Sequence, residues 1–357
     1  MVNTAVQIAG RNISLADKPF IIAELSGNHN QSLQLALDMI EAAAKTGVDA
    51  IKLQTYTADT MTLDCDRDDF QILDKDNLWQ GNSLYKLYQQ AHTPWEWHET
   101  LFNKAKSLGL IAFSSPFDST AVDFLETLNV PCYKIASFEN NDLPLIKRVA
   151  QTGKPVILST GMASLSEVSE AVETLRDNGC SEIILLKCTS AYPASPAQAN
   201  LNTIGHMRET FQCEVGISDH TLGIGVSLAG VALGASVIEK HFVLSREAGG
   251  VDAAFSLQPD ELKSLVTESE NAFLSLGTTK YGTTQGDSHQ YRRSIYISDD
   301  VKEGDTLSDQ NIKVIRPGFG IAPKHYPKLL GMRICNNAVK GQPFSWDIVT
   351  QKSLNSK

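Results

Sequence analysis

Two histidines, His220 in "GISDHTLG" and His241 in "IEKHF", each stand where an apolar run gives way to polar residues. If those runs are neighbouring parallel β-strands, about 4.8 Å apart, the two imidazoles can share one divalent cation. Each can equally be a hydrogen-bonded structural residue. Two protein ligands leave positions for water and substrate, which suits catalytic Mn²⁺, Mg²⁺ or Co²⁺ better than a closed structural zinc site. The same kind of boundary recurs along the chain. It carries Glu24, Lys52 with Gln54, Ser114 with Ser115, Lys134 with Ser137, Ser159 with Thr160, Lys187 with Ser190, Ser218 and Glu239. A spacing of two in Lys52/Gln54, Ser218/His220 and Glu239/His241 puts each pair on one strand face. Lysines among hydroxyls are the chemistry of a phosphate and carboxylate cradle. Lys52 and Lys134 can also be plain ion-pair partners, and Glu24 the structural partner of Lys52. Lys240 alternates with Glu239 and His241, so it should face away from them and is assigned no role; Lys187 shares the parity of Thr189 and is assigned none either.

The elements that must position these groups are read from periodicity. β-rich runs occur at 20–26, 50–56, 110–116, 132–137, 155–160, 182–190, 214–220 and 236–242. Each precedes a segment with helical spacing of apolar residues, several opening on a Ser or Thr cap and closing on Gly, as from Ser164 to Gly179 and Ser32 to Gly47. Eight strand–helix units with parallel pairing close into a (β/α)₈ TIM barrel, whose chemistry sits at the C-terminal ends of the strands. An open doubly wound sheet is the competitor, but no G-x-G-x-x-G follows the first strand. The predicted barrel spans residues 1–280. It is interrupted after its second strand by an acidic, aromatic insertion at 57–92, long enough to be a lid. Trp95 and Trp97 of "TPWEWH" should pack that insertion down. A Gly/Thr/Ser-rich linker at 281–293 leads to a small β-rich C-terminal domain at 294–357.

Bulk properties exclude several classes. Of 357 residues, 42% are apolar and 20% charged, as in an ordinary soluble globular protein, and the net charge of −10 argues against nucleic acid or an anionic membrane as partner. The N-terminus lacks the pattern of a signal peptide, and "GIGVSLAGVALGASVI" is too short and glycine-broken to span a bilayer. Six cysteines without a C-x-x-C pair read as reduced thiols in a cytoplasmic enzyme.

Together, "FIIAELSGNHNQSLQLALDMIEAAAKTGVDAIKLQTY", "SSPFDSTAVDFLETLNVPCYKIASFENND", "KPVILSTGMAS", "LLKCTSAYP", "GISDHTLG" and "IEKHF" resemble the nonulosonic (sialic) acid synthase family, nearly end to end and in order. The tail from "RRSIY" through "IRPGFG" to "FSWDIV" is similar to that family's antifreeze-like, or SAF, domain. Within the family, the "SGNHNQSL" entry and the insertion ending "LWQGNSLYKLYQQAHTPWEWH" look like the pseudaminate branch.

The resemblance implies condensation of phosphoenolpyruvate with an open-chain acylamino sugar, in that branch 2,4-diacetamido-2,4,6-trideoxy-L-altrose. It implies a divalent metal on His220 and His241. Lys134, Ser137, Ser159 and Ser218 match positions that bind phosphate and carboxylate, with Ser115 and Lys52 nearby. Ser190 stands where sialate synthases usually carry Asn against phosphoenolpyruvate, a departure that goes with the pseudaminate branch. Glu24 matches a glutamate near the reacting carbons. Gln54, Glu139, Tyr192 and Asp252 match sugar-contacting positions. The family further implies a homodimer in which each SAF domain caps the partner's barrel and Arg316 meets the sugar's N-acyl group there. Sibling synthases for N-acetylneuraminate or N,N′-diacetyllegionaminate are the near alternatives. A metal-dependent aldolase or lyase, or a non-catalytic sugar-binding protein, are the distant ones.

Overall fold

The computed structural model describes residues 5–73, 79–282 and 288–350. Parts of the expected insertion (74–78), linker (283–287) and C-terminal domain (351–357) therefore lie outside the described residues. The chain forms two compact units, Met1–Gly277 and Thr278–Lys357.

The first unit opens with a hairpin of β1 (Val6–Ile8) and β2 (Arg11–Ile13). Eight parallel strands follow: β3 (Phe20–Glu24), β4 (Ala50–Thr55), β5 (Ile111–Pro116), β6 (Tyr133–Ile135), β7 (Val156–Ser159), β8 (Ile183–Cys188), β9 (Glu214–Ser218) and β10 (Val237–His241). They close into a barrel in chain order, β10 pairing with β3. The return helices are α1 (Leu33–Thr46), α4 (His98–Ser107), α5 (Ser119–Thr127), α6 (Leu143–Ala150), α7 (Leu165–Asp177), α8 (Thr203–Phe211), α9 (Gly225–Ala232) and α10 (Pro259–Leu276). The insertion between β4 and α4 carries two short helices, α2 (Ala58–Met61) and α3 (Leu84–Ala91). The expected caps form locally. Ser32 accepts from Leu35 N at the head of α1, Gly47 ends it at φ 88°, and Ser164 forms a capping box with Glu167 on α7.

Strand parity sorts the barrel wall into two environments. Outward residues such as Ile21, Ala23, Ile51, Leu53, Leu158, Leu185, Val215 and Ile238 join the helices in one large apolar core. Inward residues Phe20, Ile22, Ala50, Phe113, Cys132, Ile157, Ile184, Leu186 and Val237 fill the lumen, with Val6, Ile8 and Ile13 of the hairpin packed against them. Burying each large side chain contributes roughly 1.5–3 kcal/mol. The filling leaves no room at Gly216 on β9, where a Cβ would come within 2.7 Å of Val237 Cβ and 2.8 Å of Leu186 Cδ2.

The second unit has its own small core of Ile295, Ile297, Val301, Leu307, Ile312, Leu329, Ile334, Phe344 and Ile348. Its strands β11 (Ser294–Ile297) and β12 (Ile312–Ile315) pair antiparallel. Arg316 follows β12 and is exposed. The loop after it is tied to β11, where Ser294 Oγ donates to Pro317 O at 2.7 Å and accepts from Gly320 N at 2.9 Å. Among the described residues, no helix is long and apolar enough to cross a membrane.

Candidate active site

Above the apolar lumen the inward positions change character within one residue pair. Glu24 follows Ile22, Lys52 follows Ala50, Ser115 follows Phe113, Lys134 follows Cys132, Ser159 follows Ile157 and Glu239 follows Val237. Register sets them side by side. Glu24 lies opposite Lys52 and His241, Gln54 opposite Ser115, and Ser218 opposite both Cys188 and Glu239.

The ions form one buried network. Lys52 pairs closely with Glu24, lies 3.7 Å from Glu239 and donates to Ser115 Oγ at 3.3 Å. Lys134 lies 3.6 Å from Glu239 and donates to Ser159 Oγ at 2.7 Å, while Ser218 Oγ donates to Glu239 at 3.0 Å. All four charged side chains are at most 4% exposed. Burial works against charge on Lys52, but Glu239 and Glu24 outweigh it and raise its pKa. Burial would also raise Glu239, yet Lys134 and Lys52 hold it low. Glu24 is different: burial, opposed by Lys52 and helped by Glu239, lifts its carboxyl to about 7. It can therefore gain or lose a proton near neutral pH.

Beside the ions stand the histidines, with ring centroids 5.2 Å apart. Nδ1 of His220 lies 3.1 Å from the Thr189 carbonyl and 3.8 Å from Cys188 Sγ. Nδ1 of His241 lies 3.6 Å from Asp252 Oδ2, a carboxylate that also accepts from Ser26 Oγ. Burial, then the neighbouring cations, keeps His241 neutral by pushing its pKa well below 6.5. Among the described residues, no group of three or more His, Cys, Asp or Glu is arranged to hold a metal ion. What the mouth offers a cation is two imidazoles, one of them neutral and flanked by a carboxylate. That donor set fits a divalent ion whose other ligands are water and substrate.

Ser137 and Ser190 also converge: a Cβ on Gly161 would collide with both hydroxyls, so only glycine lets the loop after β7 approach them. Glu139 closes the turn that starts at Ser137, and its Oε2 lacks a hydrogen-bond partner among the described residues. The Tyr192 ring lies 4.6 Å from that of His220. Gln54 stands on the inner face of β4, partly exposed. Of the candidates, Arg316 alone belongs to the second unit.

Several residues had no assigned role in the sequence reading. Glu239 links both lysines, and its place beside His241 on one strand face was the available signal. Cys188, one of the six reduced thiols, shares the parity of Ile184 and Leu186 and so points inward. Burial would raise that thiol, but His220 brings it down to about 7. Phe255 packs at 4.9 Å and 5.9 Å against the two imidazoles. Trp79, in the insertion, donates to Val251 O at 3.0 Å and sits 6.3 Å from the Tyr192 ring. Phe255 carried no sequence signal, and Trp79 was marked only as one aromatic of the insertion. Ser114 faces outward, bonded to Thr55 at 2.6 Å, and Lys187 donates to the Cys188 carbonyl at 2.7 Å. Trp95 and Trp97 occupy a 3₁₀ turn ahead of α4, Trp95 stacking on Phe124 and Trp97 edge-on to His29.

Known proteins resemble this chain in sequence and fold. Residues 39–281 match the NeuB family and residues 292–350 the SAF domain. Pseudaminic acid synthase of Campylobacter jejuni is 44% identical over 90% of this chain and 94% of its own. The Helicobacter pylori pseudaminic acid synthase is 42% identical over 94% of this chain and 99% of its own. Among solved structures, the Bacillus subtilis spore coat polysaccharide biosynthesis protein SpsE superposes with a TM-score of 0.66 at 33% identity, covering 98% of this chain and 100% of that one. The Leptospira borgpetersenii N-acetylneuraminic acid synthetase gives 0.68 at 31%, covering 81% and 95%. With its eight-stranded barrel, its ionised mouth and these matches over most of its length, the chain belongs to the NeuB family.

Proposed function

We propose that the enzyme condenses phosphoenolpyruvate with 2,4-diacetamido-2,4,6-trideoxy-L-altrose and water, giving pseudaminic acid and inorganic phosphate. The observation that carries this reading is the buried set of Lys52, Lys134, Glu24 and Glu239, ringed by serine hydroxyls beside two imidazoles. Packing alone gives no reason to bury four charges at one end of a lumen.

In this reading Lys134, Ser159, Ser137, Ser190 and Ser218 hold the phosphate, and Lys52 with Ser115 holds the carboxylate. Glu239 keeps both lysines charged and pointed inward. Carbon 3 of phosphoenolpyruvate forms a bond to the aldehyde carbon, whose oxygen takes a proton. Water adds at carbon 2, giving up one proton that Glu24 is poised to accept, and phosphate leaves with the C–O bond electrons and the remaining hydroxyl proton as the keto group forms. His220 and His241 would hold a divalent ion, Mn²⁺, Mg²⁺ or Co²⁺, which would supply Lewis acidity to the aldehyde when bound. Gln54, Glu139, Tyr192 and Asp252 position the sugar.

Trp79 and Tyr192 add an apolar wall suited to the 6-methyl group of a 6-deoxy sugar. The direct test measures phosphate release from phosphoenolpyruvate with ManNAc, its 2,4-diacetamido-6-deoxy analogue, and the diacetamido-trideoxy altrose. The altrose is expected to be strongly preferred. Trp79→Ala should lower that preference by about 1–3 kcal/mol. Equal turnover of ManNAc by the unaltered enzyme moves the assignment to the sialate branch.

The second unit enters the reading as a cap on the partner's barrel in a homodimer. Arg316 is exposed and makes no hydrogen bond or ion pair among the described residues. Bonded to the sugar's acylamino carbonyl in trans, it contributes about 1.5–3 kcal/mol to substrate binding. Assayed at sub-saturating sugar, mixed dimers of Arg316→Ala and His241→Ala chains should then regain activity that is low in both parents. A mixture that stays inactive after verified subunit exchange excludes the contact in trans.

A further inference from the structure

Directly behind the two histidines, on the outer face of the wall, lies a second buried ion pair that the proposed chemistry does not use. Lys240 is 0% exposed and Asp219 3%. The Lys240 ammonium lies 3.1 Å from Asp219 Oδ2 and also donates to the Thr221 carbonyl. Asp219 is otherwise saturated. Its Oδ1 accepts from Thr221 N at 2.9 Å and Thr221 Oγ1 at 2.8 Å, and its Oδ2 from Ser227 Oγ at 2.6 Å. Asp219 and Thr221 are the residues on either side of His220; Lys240 is the residue before His241.

The β9–β10 register ends at Glu239 opposite Ser218, two residues short of His220, and past it a backbone bond runs from Asp219 N to Glu239 O at 3.0 Å. At the level of the imidazoles the ladder has run out. Beyond that bond the Lys240 side chain ties the two strands together on the outer face, gripping both Asp219 and Thr221 and so bracketing His220. Its neighbours on the outer face, Ile217 and Ile238, are apolar. An apolar pair at 219 and 240 would remove the buried charges, but it would leave the polar groups of Thr221 and Ser227 without these partners and would let one strand end slide along the other. Charge and directed hydrogen bonds set a distance and an angle.

We propose that Lys240 and Asp219 are positioning residues that hold His220 and His241 at the spacing a divalent cation requires. The inference rests on the reading that these two imidazoles bind such a cation. The probe is Mn²⁺ added to metal-free protein, followed by electron paramagnetic resonance or calorimetry, with thermal unfolding measured alongside. The informative variant is the double replacement Lys240→Met with Asp219→Asn, which leaves no buried charge unpaired. Its melting temperature should stay near that of the unaltered protein, and so should its phosphoenolpyruvate affinity, since Lys52 and Lys134 are untouched. Its Mn²⁺ affinity should fall about tenfold or more, as when the outer partners of metal ligands are lost. Tight Mn²⁺ binding by the unaltered and double-variant proteins alike overturns the positioning role and leaves the metal reading standing. Absence of Mn²⁺ binding by the unaltered protein overturns both. Should the double variant not fold, Ser227→Ala, which removes one bond to Asp219 and keeps both charges, must weaken Mn²⁺ binding; an unchanged affinity overturns the proposal.

Discussion

The two ends of the barrel lumen are built on the same strands and spend their burial differently. At the lower end Phe20, Ile22, Phe113, Ile157, Ile184, Leu186 and Val237 pack against one another and against the hairpin. One residue pair higher, Glu24, Lys52, Ser115, Lys134, Ser159, Ser218 and Glu239 meet in the same confined space. The lower layer stabilises by removing apolar surface from water. The upper layer removes charges from water and recovers the cost only through mutual pairing. The floor therefore holds the barrel together, while the mouth spends its pairing on offsetting its own desolvation and contributes little net stability.

The largest expected effect comes from making the mouth resemble the floor. Replacing Lys52 and Glu24 together, as Lys52→Met with Glu24→Leu, removes a buried ion pair without leaving either partner alone. Turnover should fall on the order of 10²–10³-fold or more, while stability stays level or rises by about 1–4 kcal/mol. Denaturant unfolding and phosphate release measured on one preparation check both halves. A large loss of stability together with activity would make the pair a structural element and erase the contrast.

The opposite disturbance belongs to the floor. Phe113 is fully buried on the same strand face as Ser115, two residues below it. Phe113→Ala should cost about 3–5 kcal/mol of stability through lost contacts and a residual cavity. Turnover per folded molecule should change little, because no group in the mouth is removed. If kcat drops as far as stability does, the two layers are coupled rather than separate.

The smallest effect sharpens the comparison through pH. Glu24 has its pKa raised from 4.5 to about 7 in the folded protein. The folded state therefore keeps that proton longer than the unfolded chain does. Its contribution to stability is complete below about 4.5 and is lost as pH rises through about 7. Unaltered protein should lose stability over this range relative to Glu24→Gln, which has no proton to release. Parallel melting curves of the two proteins between pH 5 and 8 would contradict the raised value.

Much of this contrast was legible in the chain. Period two within each strand placed Lys52 with Gln54 and Glu239 with His241 on shared faces, and alternation with helical segments implied a parallel barrel. The same alternation turned Lys240 outward, where the structure places it. Glu239 was visible as a strand-end residue but had no role, because its function lies in lysines on two other strands. Phe255 was invisible, since it reaches the histidines from a turn that obeys no period; Trp79 was visible only as one aromatic of the insertion, because its partners Tyr192 and Val251 come from distant parts of the chain.

The amino-acid order by itself determined which faces of which strands are apolar or ionisable, because side-chain direction in a strand depends only on parity. It determined the helix caps for the same local reason. What the tertiary structure alone decided is who meets whom: the closure that sets β10 beside β3 and so His241 beside Glu24, the approach of Gly161 to Ser137 and Ser190, and the Lys240–Asp219 contact behind the imidazoles. These are contacts between residues far apart in sequence. They exist only once a cooperative core has fixed every strand's register at the same time.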